Sequence, residues 1–406
     1  MKSGRGPKTV YVLGAGFSKK AEIPLQSDIL RCIVETTVMD ARSEFAEKML
    51  EWQGISVGFV ERIFERVPNP ILEDVFTLID QSIARKHYCG GQTWKKLLDV
   101  RDALSKVIVA LFHLKEACSP EAAMDYYRGI AGHLIEQRVA SGQENDPFAI
   151  ISLNWDSVLE NGMSWFIKEC GHLPADVDYC CYTNPLSKDS RHKSSLSQKA
   201  LGIYNLKVLK LHGSINWILC PNCNRLYTGL GEAPEVMAQY VIGKGCPACN
   251  ELELSEKERG LEGPLLEPFI ITPTFVKEFD NAHIQMVWHN AYIELREADK
   301  VVFVGYSLPE ADYHLRTLLK RAIQAHAKIE IVLTENDKVP TDCRDNIRGK
   351  FAESRYKAFF GEGSNVEFIF GGAEAYFEAI IGGQTIEERK VSLEKLIAHN
   401  SGGNTG

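Results

Sequence analysis

The stretch Val10-Tyr11-Val12-Leu13-Gly14-Ala15-Gly16-Phe17-Ser18 opens the reading of the fold. Residues 8–13 are β-rich and apolar, as a strand buried on both faces would be. Gly-x-Gly then marks a tight turn before a helix. Glycines there let the backbone turn sharply and approach a pyrophosphate, and N–H groups at a helix start favour an anion. The third glycine of the dinucleotide fingerprint is missing, since Lys19 stands in its place. Alone, the segment fits an ordinary strand-to-helix turn equally well.

The rest of the chain supplies the context. Strand-like runs fall at Phe148–Leu153, Leu206–Leu211, Pro268–Ile271, Val301–Val304, Ile329–Leu333 and Val366–Phe370, most of them short and rich in Val and Ile. Helical stretches lie between several of them, at Asp156–Glu169, Lys277–Glu297 and Glu310–His326. This alternation predicts an α/β fold with a mostly parallel sheet and helices on both sides. Residues 26–142 read as a block of several helices, where Trp94, Leu97, Leu98, Leu104, Ile108 and Leu111 recur on one face of a long helix. The region 218–262 breaks the alternation.

The chain has 406 residues, enough for one enlarged domain or two. A hydrophobic fraction of 45% with 25% charged residues is that of a soluble globular protein. The net charge of −8 argues against a surface that attracts nucleic acid throughout, while leaving room for a local basic patch. No run approaches the roughly 20 apolar residues of a membrane span. The start, Met1-Lys2-Ser3-Gly4-Arg5, lacks an apolar signal core, so a cytoplasmic location is expected. The 11 cysteines are odd in number and include two Cys-x-x-Cys pairs, which fits a reducing compartment with one metal site. The other seven, Cys32, Cys89, Cys118, Cys170, Cys180, Cys181 and Cys343, read as small apolar residues.

Cys220-Pro221-Asn222-Cys223 and Cys246-Pro247-Ala248-Cys249 are two knuckles that can surround a tetrahedral zinc with four thiolates. The gap between them slightly exceeds the common span of roughly 15–20 residues, and would form the loop of a ribbon. Four cysteines leave no position for water, so the zinc is expected to be structural. A redox pair is the alternative, and two paired motifs make it the weaker one.

Ile150-Ile151-Ser152-Leu153-Asn154-Trp155-Asp156 places an asparagine and an aspartate directly after a buried strand, and Leu209-Lys210-Leu211-His212-Gly213-Ser214 does the same for a histidine. Ligands of open parallel sheets bind beyond the carboxyl ends of the strands, so these tips and the Gly-Ala-Gly turn would converge. Histidine can take or hold a proton near neutrality, and the asparagine amide can orient a ribose or a water. Either Asn154 or Asp156 could instead cap the following helix, Asp156 more readily.

At this point the motif set resembles the sirtuin family. Gly14-Ala15-Gly16-Phe17-Ser18 with Ile23-Pro24 is similar to that family's Gly-Ala-Gly-x-Ser…Ile-Pro. Asn154-Trp155-Asp156 resembles its Asn-Ile-Asp, and Leu211-His212-Gly213 its Leu-His-Gly, with a four-cysteine ribbon following. The resemblance runs in motif order from residue 8 to about 380. Protein-deacylating sirtuins continue from Ile-Pro into Asp-Phe-Arg, where this chain has Leu25-Gln26-Ser27. Their Phe-Gly-Glu segment, which helps seat the peptide, is replaced by Glu267-Pro268-Phe269-Ile270-Ile271-Thr272-Pro273-Thr274. Their Gly-Thr-Ser is replaced by Gly305-Tyr306-Ser307. With His212-Gly213-Ser214-Ile215-Asn216-Trp217, these variants resemble the bacterial sirtuin-like proteins of antiphage defence, which destroy NAD.

The resemblance implies a Rossmann-like parallel sheet of sirtuin type over residues 1–382, with a helical insertion at 26–142, a zinc-ribbon module at 218–262, and a helical or flexible tail at 383–406. It implies an NAD hydrolase that yields nicotinamide and ADP-ribose, with Asn154 and His212 catalytic. Gly14, Ala15, Gly16, Phe17, Ser18, Asp156, Gly305 and Ser307 would contact NAD, and Cys220, Cys223, Cys246 and Cys249 would hold zinc. Asn336 is a further candidate for the adenine ribose, and Asp312 either a helix cap or a distal contact. A homo-oligomer or a HerA-type ATPase partner is consistent with the resemblance. An NAD-dependent protein deacylase and a non-catalytic NAD-sensing module are the other classes.

Overall fold

The apolar run that opens the chain becomes strand β1 (Thr9–Leu13), in which Val10 and Val12 are fully buried. In the computed structural model, residues 6–36, 44–63, 70–171, 173–186, 198, 201–230, 245–252, 266–274, 280–339, 350–361, 363 and 365–402 are described. The expected helix start at Lys277, Cys343 and much of the 218–262 region lie outside them. A 3-10 turn over Ala15–Ala21 leads to α1 (Ile29–Glu35), α2 (Glu44–Ile63), α3 (Leu72–Arg85), α4 (Trp94–Ala117) and α5 (Glu121–Ala140). Next come β2 (Phe148–Ser152), α6 (Val158–Glu169), β3 (Ala175–Asp178), β4 (Thr183–Pro185) and β5 (Tyr204–Lys210). The cysteine region holds β6 (Gly213–Leu219), β7 (Leu226–Thr228), α7 (Pro247–Leu252) and β8 (Glu267–Ile270). The chain ends through α8 (Ala282–Glu297), β9 (Lys300–Val304), α9 (Tyr313–Ala322), β10 (Lys328–Leu333), α10 (Ala352–Phe360), β11 (Val366–Phe370), α11 (Gly372–Ile381) and α12 (Ile386–Gly402).

Seven strands form one parallel sheet in the order β11-β10-β9-β1-β2-β5-β3. β1 lies in register with β2 (Leu13 opposite Ser152) and with β9 (Leu13 opposite Val304). The chain builds outward from β1 through β2 and β5, then returns to build β9, β10 and β11 on the other flank. The order therefore reverses at the β1–β9 boundary. Open α/β sheets leave a crevice there, beyond the carboxyl ends of the strands. The architecture is the Rossmann-like α/β sheet expected from the alternation of strands and helices.

Four strands form a second sheet in the order β4-β7-β6-β8. This corrects the expectation that Pro268–Ile271 extends the parallel sheet, because β8 runs antiparallel to β6. Gly213 causes the departure. At φ +72° it swings the chain out of the parallel sheet directly after β5, and a Cβ there would lie 2.2 Å from the Phe269 carbonyl oxygen.

Within the helical block α2 and α3 pack on α4. Leu97, Leu104, Ile108 and Leu111 form its buried stripe, while Leu98 is 45% exposed and does not belong to it. The segment read as a tail contains α12, which docks on α5 with Leu393 fully buried and Arg389 ion-paired to Glu136 at 2.9 Å. At the amino edge of the sheet, buried Lys8 pairs with Asp146 at 3.0 Å and Lys207 with Glu294 at 2.7 Å, far along the strands from the glycine turn. Among the described residues no helix is long and apolar enough to cross a membrane.

Candidate active site

The glycine turn is locked against the start of the β9–α9 loop. Gly14 N donates to Val304 O at 3.0 Å, Gly16 N to Gly305 O at 2.9 Å, and Phe17 N to Gly14 O at 2.9 Å. Gly305 sits at φ +63°, and a Cβ on it would lie 2.3 Å from Phe17 N. Glycine is thus required by contact as well as by conformation. These three N–H groups are used inside the protein, which corrects the expectation of a row of donors left for a phosphate. Phe17 is corrected too: its side chain turns into the core against Tyr127 and Phe377, with ring centroids 5.4 and 5.6 Å away.

Asn154 leaves the tip of β2 and is 8% exposed. Its Nδ2 donates to Gly14 O at 2.9 Å and to Ser18 Oγ at 3.2 Å. Both amide protons have acceptors, so the carbonyl Oδ1 is the atom it presents to the crevice. Ser18, fully buried, donates in turn to Asp156 Oδ1 at 2.9 Å. Burial raises the Asp156 pKa, with the Lys210 ammonium opposing and Glu160 reinforcing. Lys210, buried completely, donates to the Asp156 carbonyl and pairs with Glu160 at 2.9 Å. Asp156 Oδ1 also accepts from Val158 N at 3.4 Å, but the N-cap position of α6 is Ser157 and no side chain caps the helix there, so the expectation that Asp156 or Asn154 caps it is corrected. Ser18 and Asp156 act behind Asn154, and Ser18 does not line the crevice.

His212 follows β5, the strand next to β2. Its Nδ1 lies 3.2 Å from Leu153 O. A carbonyl only accepts, so Nδ1 carries a proton and donates it to Leu153 O, which fixes the ring's orientation at the strand tip. Trp288 flanks the ring at 6.5 Å and is itself held by its indole N–H on Leu211 O at 3.0 Å.

Two cavities meet at these residues. The inner one, about 280 Å³, is lined by Ile23, Pro24, Gln26, Glu73, Phe112, Trp155, Asp156 and Thr272 among others. The outer one, about 490 Å³, runs along Gly14, Gly16, Lys19, Gly305, Ser307, Thr334 and Asp337. Ala15, Asn154, His212 and Asp312 line both, so they are two lobes of one crevice. Asn336 is not among the lining residues; Thr334 and Asp337 on either side of it are. Asp312 stands at the N-cap position of α9 without capping it, and accepts from Tyr306 Oη at 2.9 Å instead.

Sequence reasoning missed Glu116, Glu73 and Lys210. Glu116, at the end of α4, accepts from Ser157 Oγ at 2.9 Å and from Asn161 Nδ2 at 3.1 Å, bracing the start of α6. Burial, then the nearby Asp156, pushes its pKa up to about 8. Glu73 reaches the inner lobe from the first turn of α3. Lys210 did carry a signal, being a lysine inside the apolar run Val208-Leu209-Lys210-Leu211.

The four cysteines gather with their sulfurs within 4.8 Å of one another. Cys220 Sγ lies 3.8 Å from Cys249 Sγ, and Cys223 Sγ 3.7 Å from Cys246 Sγ. A tetrahedron with zinc–sulfur bonds of ~2.3 Å has edges of ~3.8 Å, so the set fits structural zinc. Tyr227 Oη and Asn222 Nδ2 lie 3.3 and 3.5 Å from the sulfurs of Cys246 and Cys249, supplying polar support around them.

No protein-family model and no curated protein matches the chain. Among solved structures it is similar to a Sir2 homologue in complex with NAD, at 15% identity and a TM-score of 0.40, covering 96% of this chain and 90% of that one. It is also similar to a Sir2 homologue variant in complex with ADP-ribose, at 12% identity and a TM-score of 0.40, covering 95% and 93%. A third similar structure is Sir2Tm bound to a propionylated peptide, at 13% identity and a TM-score of 0.39, covering 92% and 91%.

Proposed function

We propose that this chain hydrolyses NAD at the nicotinamide–ribose bond, releasing nicotinamide and ADP-ribose. One observation carries the reading: Asn154 and His212 stand on adjacent strand tips, on the wall shared by the two lobes of a crevice at the sheet's switch point. A dinucleotide laid across that point puts its adenosine and pyrophosphate in the outer lobe and its nicotinamide ribose at Asn154. Gly14, Ala15 and Gly16 form the floor under the pyrophosphate, with Gly305 and Ser307 on the adenosine side. Asn154 Oδ1 accepts from a ribose hydroxyl or from the attacking water. His212 Nε2 takes a proton from that hydroxyl or water as the bond breaks.

Hydrolysis, as opposed to peptide deacylation, is favoured by what covers the segment after β8. Arg101, on α4, donates to Thr272 at 3.3 Å and pairs with Asp80 of α3 at 2.6 Å. Trp155 Nε1 donates to Ile271 O at 3.2 Å. The helical block thereby stands against the segment that replaces the peptide-seating motif. The motif resemblance extends the proposal to NAD depletion in bacterial antiphage defence, held in check by self-assembly or by a HerA-type ATPase partner.

The test is NAD consumption by the purified chain with no peptide present, alongside Asn154→Ala and His212→Ala. Free ADP-ribose, lost in both variants, is the expected result. O-acyl-ADP-ribose formed only when an acylated peptide is added would replace this reading with a deacylase.

A further inference from the structure

The loop that carries Asn154 is held by its own carbonyls. Leu153 O accepts from His212 Nδ1 at 3.2 Å, and Trp155 O from Ile215 N at 2.9 Å and Ser214 Oγ at 3.2 Å. Asp156 O accepts from the Lys210 ammonium. All four donors come from residues 210–215, where β5 ends and β6 begins. The two strand tips that bear Asn154 and His212 are therefore built as one unit.

Lys210 differs from the other donors in being a cation with no exposure to solvent. Burying an ammonium is costly, and pairing it with a carboxylate offsets the cost without the net gain an apolar side chain would bring. Its partners are Glu160 of α6, at 2.9 Å, and the Asp156 carbonyl. The Asp156 carboxylate accepts in turn from Ser18, whose oxygen accepts from Asn154 Nδ2. Lys210 is thus linked to His212 through Leu211 of the chain and to Asn154 through Asp156. It lines neither lobe of the crevice. The glycine turn along the outer lobe is tied elsewhere, by Gly14 N on Val304 O and Gly16 N on Gly305 O at the end of β9.

We propose that Lys210 is a positioning residue for NAD cleavage: its ammonium, holding the Asp156 carbonyl, fixes the Asn154 tip relative to His212. This rests on the NAD-cleaving reading. Lys210 touches no substrate and acts only through the placement of Asn154. Removing it lets the two tips drift apart while the glycine turn stays anchored to β9. The loss therefore falls on the chemical step and leaves binding of the adenosine and pyrophosphate portion intact.

The experiment pairs Lys210→Met with Glu160→Gln in the full chain, which removes the ammonium without stranding the Glu160 charge. Melting curves confirm folding, calorimetry measures ADP-ribose binding, and steady-state NAD consumption gives kcat and KM. The expected result is a folded protein with unchanged ADP-ribose affinity and a kcat about 10- to 100-fold lower. Should that pair fail to fold, Lys210→Gln with Glu160→Gln, which keeps polar but shorter neutral groups, is read in the same way. A lysine that only stabilised the fold would move the melting temperature and leave the kcat of the folded protein intact; that result overturns the assignment and leaves the NAD reading standing. Weakened ADP-ribose binding in step with the lower kcat overturns it too. If the unaltered chain consumes no NAD, the NAD reading fails and the assignment fails with it.

Discussion

The Ser18 hydroxyl donates to Asp156 at 2.9 Å while its oxygen accepts the Asn154 amide at 3.2 Å. The glycine turn and the β2 tip are thus joined by one buried hydroxyl, which orients the Asn154 side chain in the wall of the crevice. Ser18→Ala removes both bonds and leaves a buried carboxylate short of a donor. The expected cost is about 1–3 kcal/mol of stability. NAD turnover should fall roughly 10- to 100-fold, mainly in kcat, since a tilted Asn154 loses orientation more than affinity. Thermal melts and steady-state NAD consumption check the two parts separately.

Gly305→Ala should damage the fold and the site together. The added Cβ would meet Phe17 N at 2.3 Å, and φ +63° adds roughly 1–2 kcal/mol for any L side chain. The turn must move to admit it, so a melting-temperature fall of several degrees with weakened NAD binding is expected. Gly54→Ala is the internal control. It lies within α2 with nothing within 4 Å of its Cβ position, and should stabilise by about 0.4–1 kcal/mol. An unchanged melting temperature in Gly305→Ala would contradict the packing argument.

The parallel sheet was legible in the sequence because its strands are buried on both faces and read as continuous apolar runs, as in Val301–Val304. The second sheet was not. β4 and β7 span too few residues for a period to register, and β6 mixes Ser214 and Asn216 into an apolar run. Those polar groups are buried because they have partners, Trp155 O for Ser214 and Tyr179 for Asn216, which only the folded chain reveals. At the site, Asn154 and His212 were visible because each directly follows an apolar strand. Glu73 and Glu116 were hidden because helix periodicity reports only which face packs, while the cavity that Glu73 lines and the α6 contacts that Glu116 makes lie across a gap in sequence.

The cysteine cluster predicts one zinc per chain, measured by elemental analysis of the purified protein. Cys246→Ser should lower that stoichiometry and destabilise the second sheet, since Cys246 is fully buried and sits beside Tyr227 of β7. With four sulfurs closing the coordination shell, chelation should disturb structure first and turnover only as a consequence. Turnover lost on chelation with the melting curve unchanged would place the metal in the chemistry instead.

Glu116 makes stability depend on pH in a direction that can be worked out. Its folded pKa is raised to about 8, first by burial and then by Asp156, while in the unfolded chain it titrates in the ordinary carboxylate range. Between those values the folded state holds one more proton than the unfolded state, so stability falls as pH rises. The contribution is complete below the ordinary carboxylate pKa and is lost as pH climbs through about 8. Glutamine cannot ionise, yet it can still accept from Asn161 or donate to Ser157. Glu116→Gln should therefore flatten the decline in melting temperature between pH 6 and pH 9. An equally steep decline in the variant would place the pH dependence in other groups, and would leave Glu116 as a brace for the start of α6 through its contacts to Ser157 and Asn161 alone.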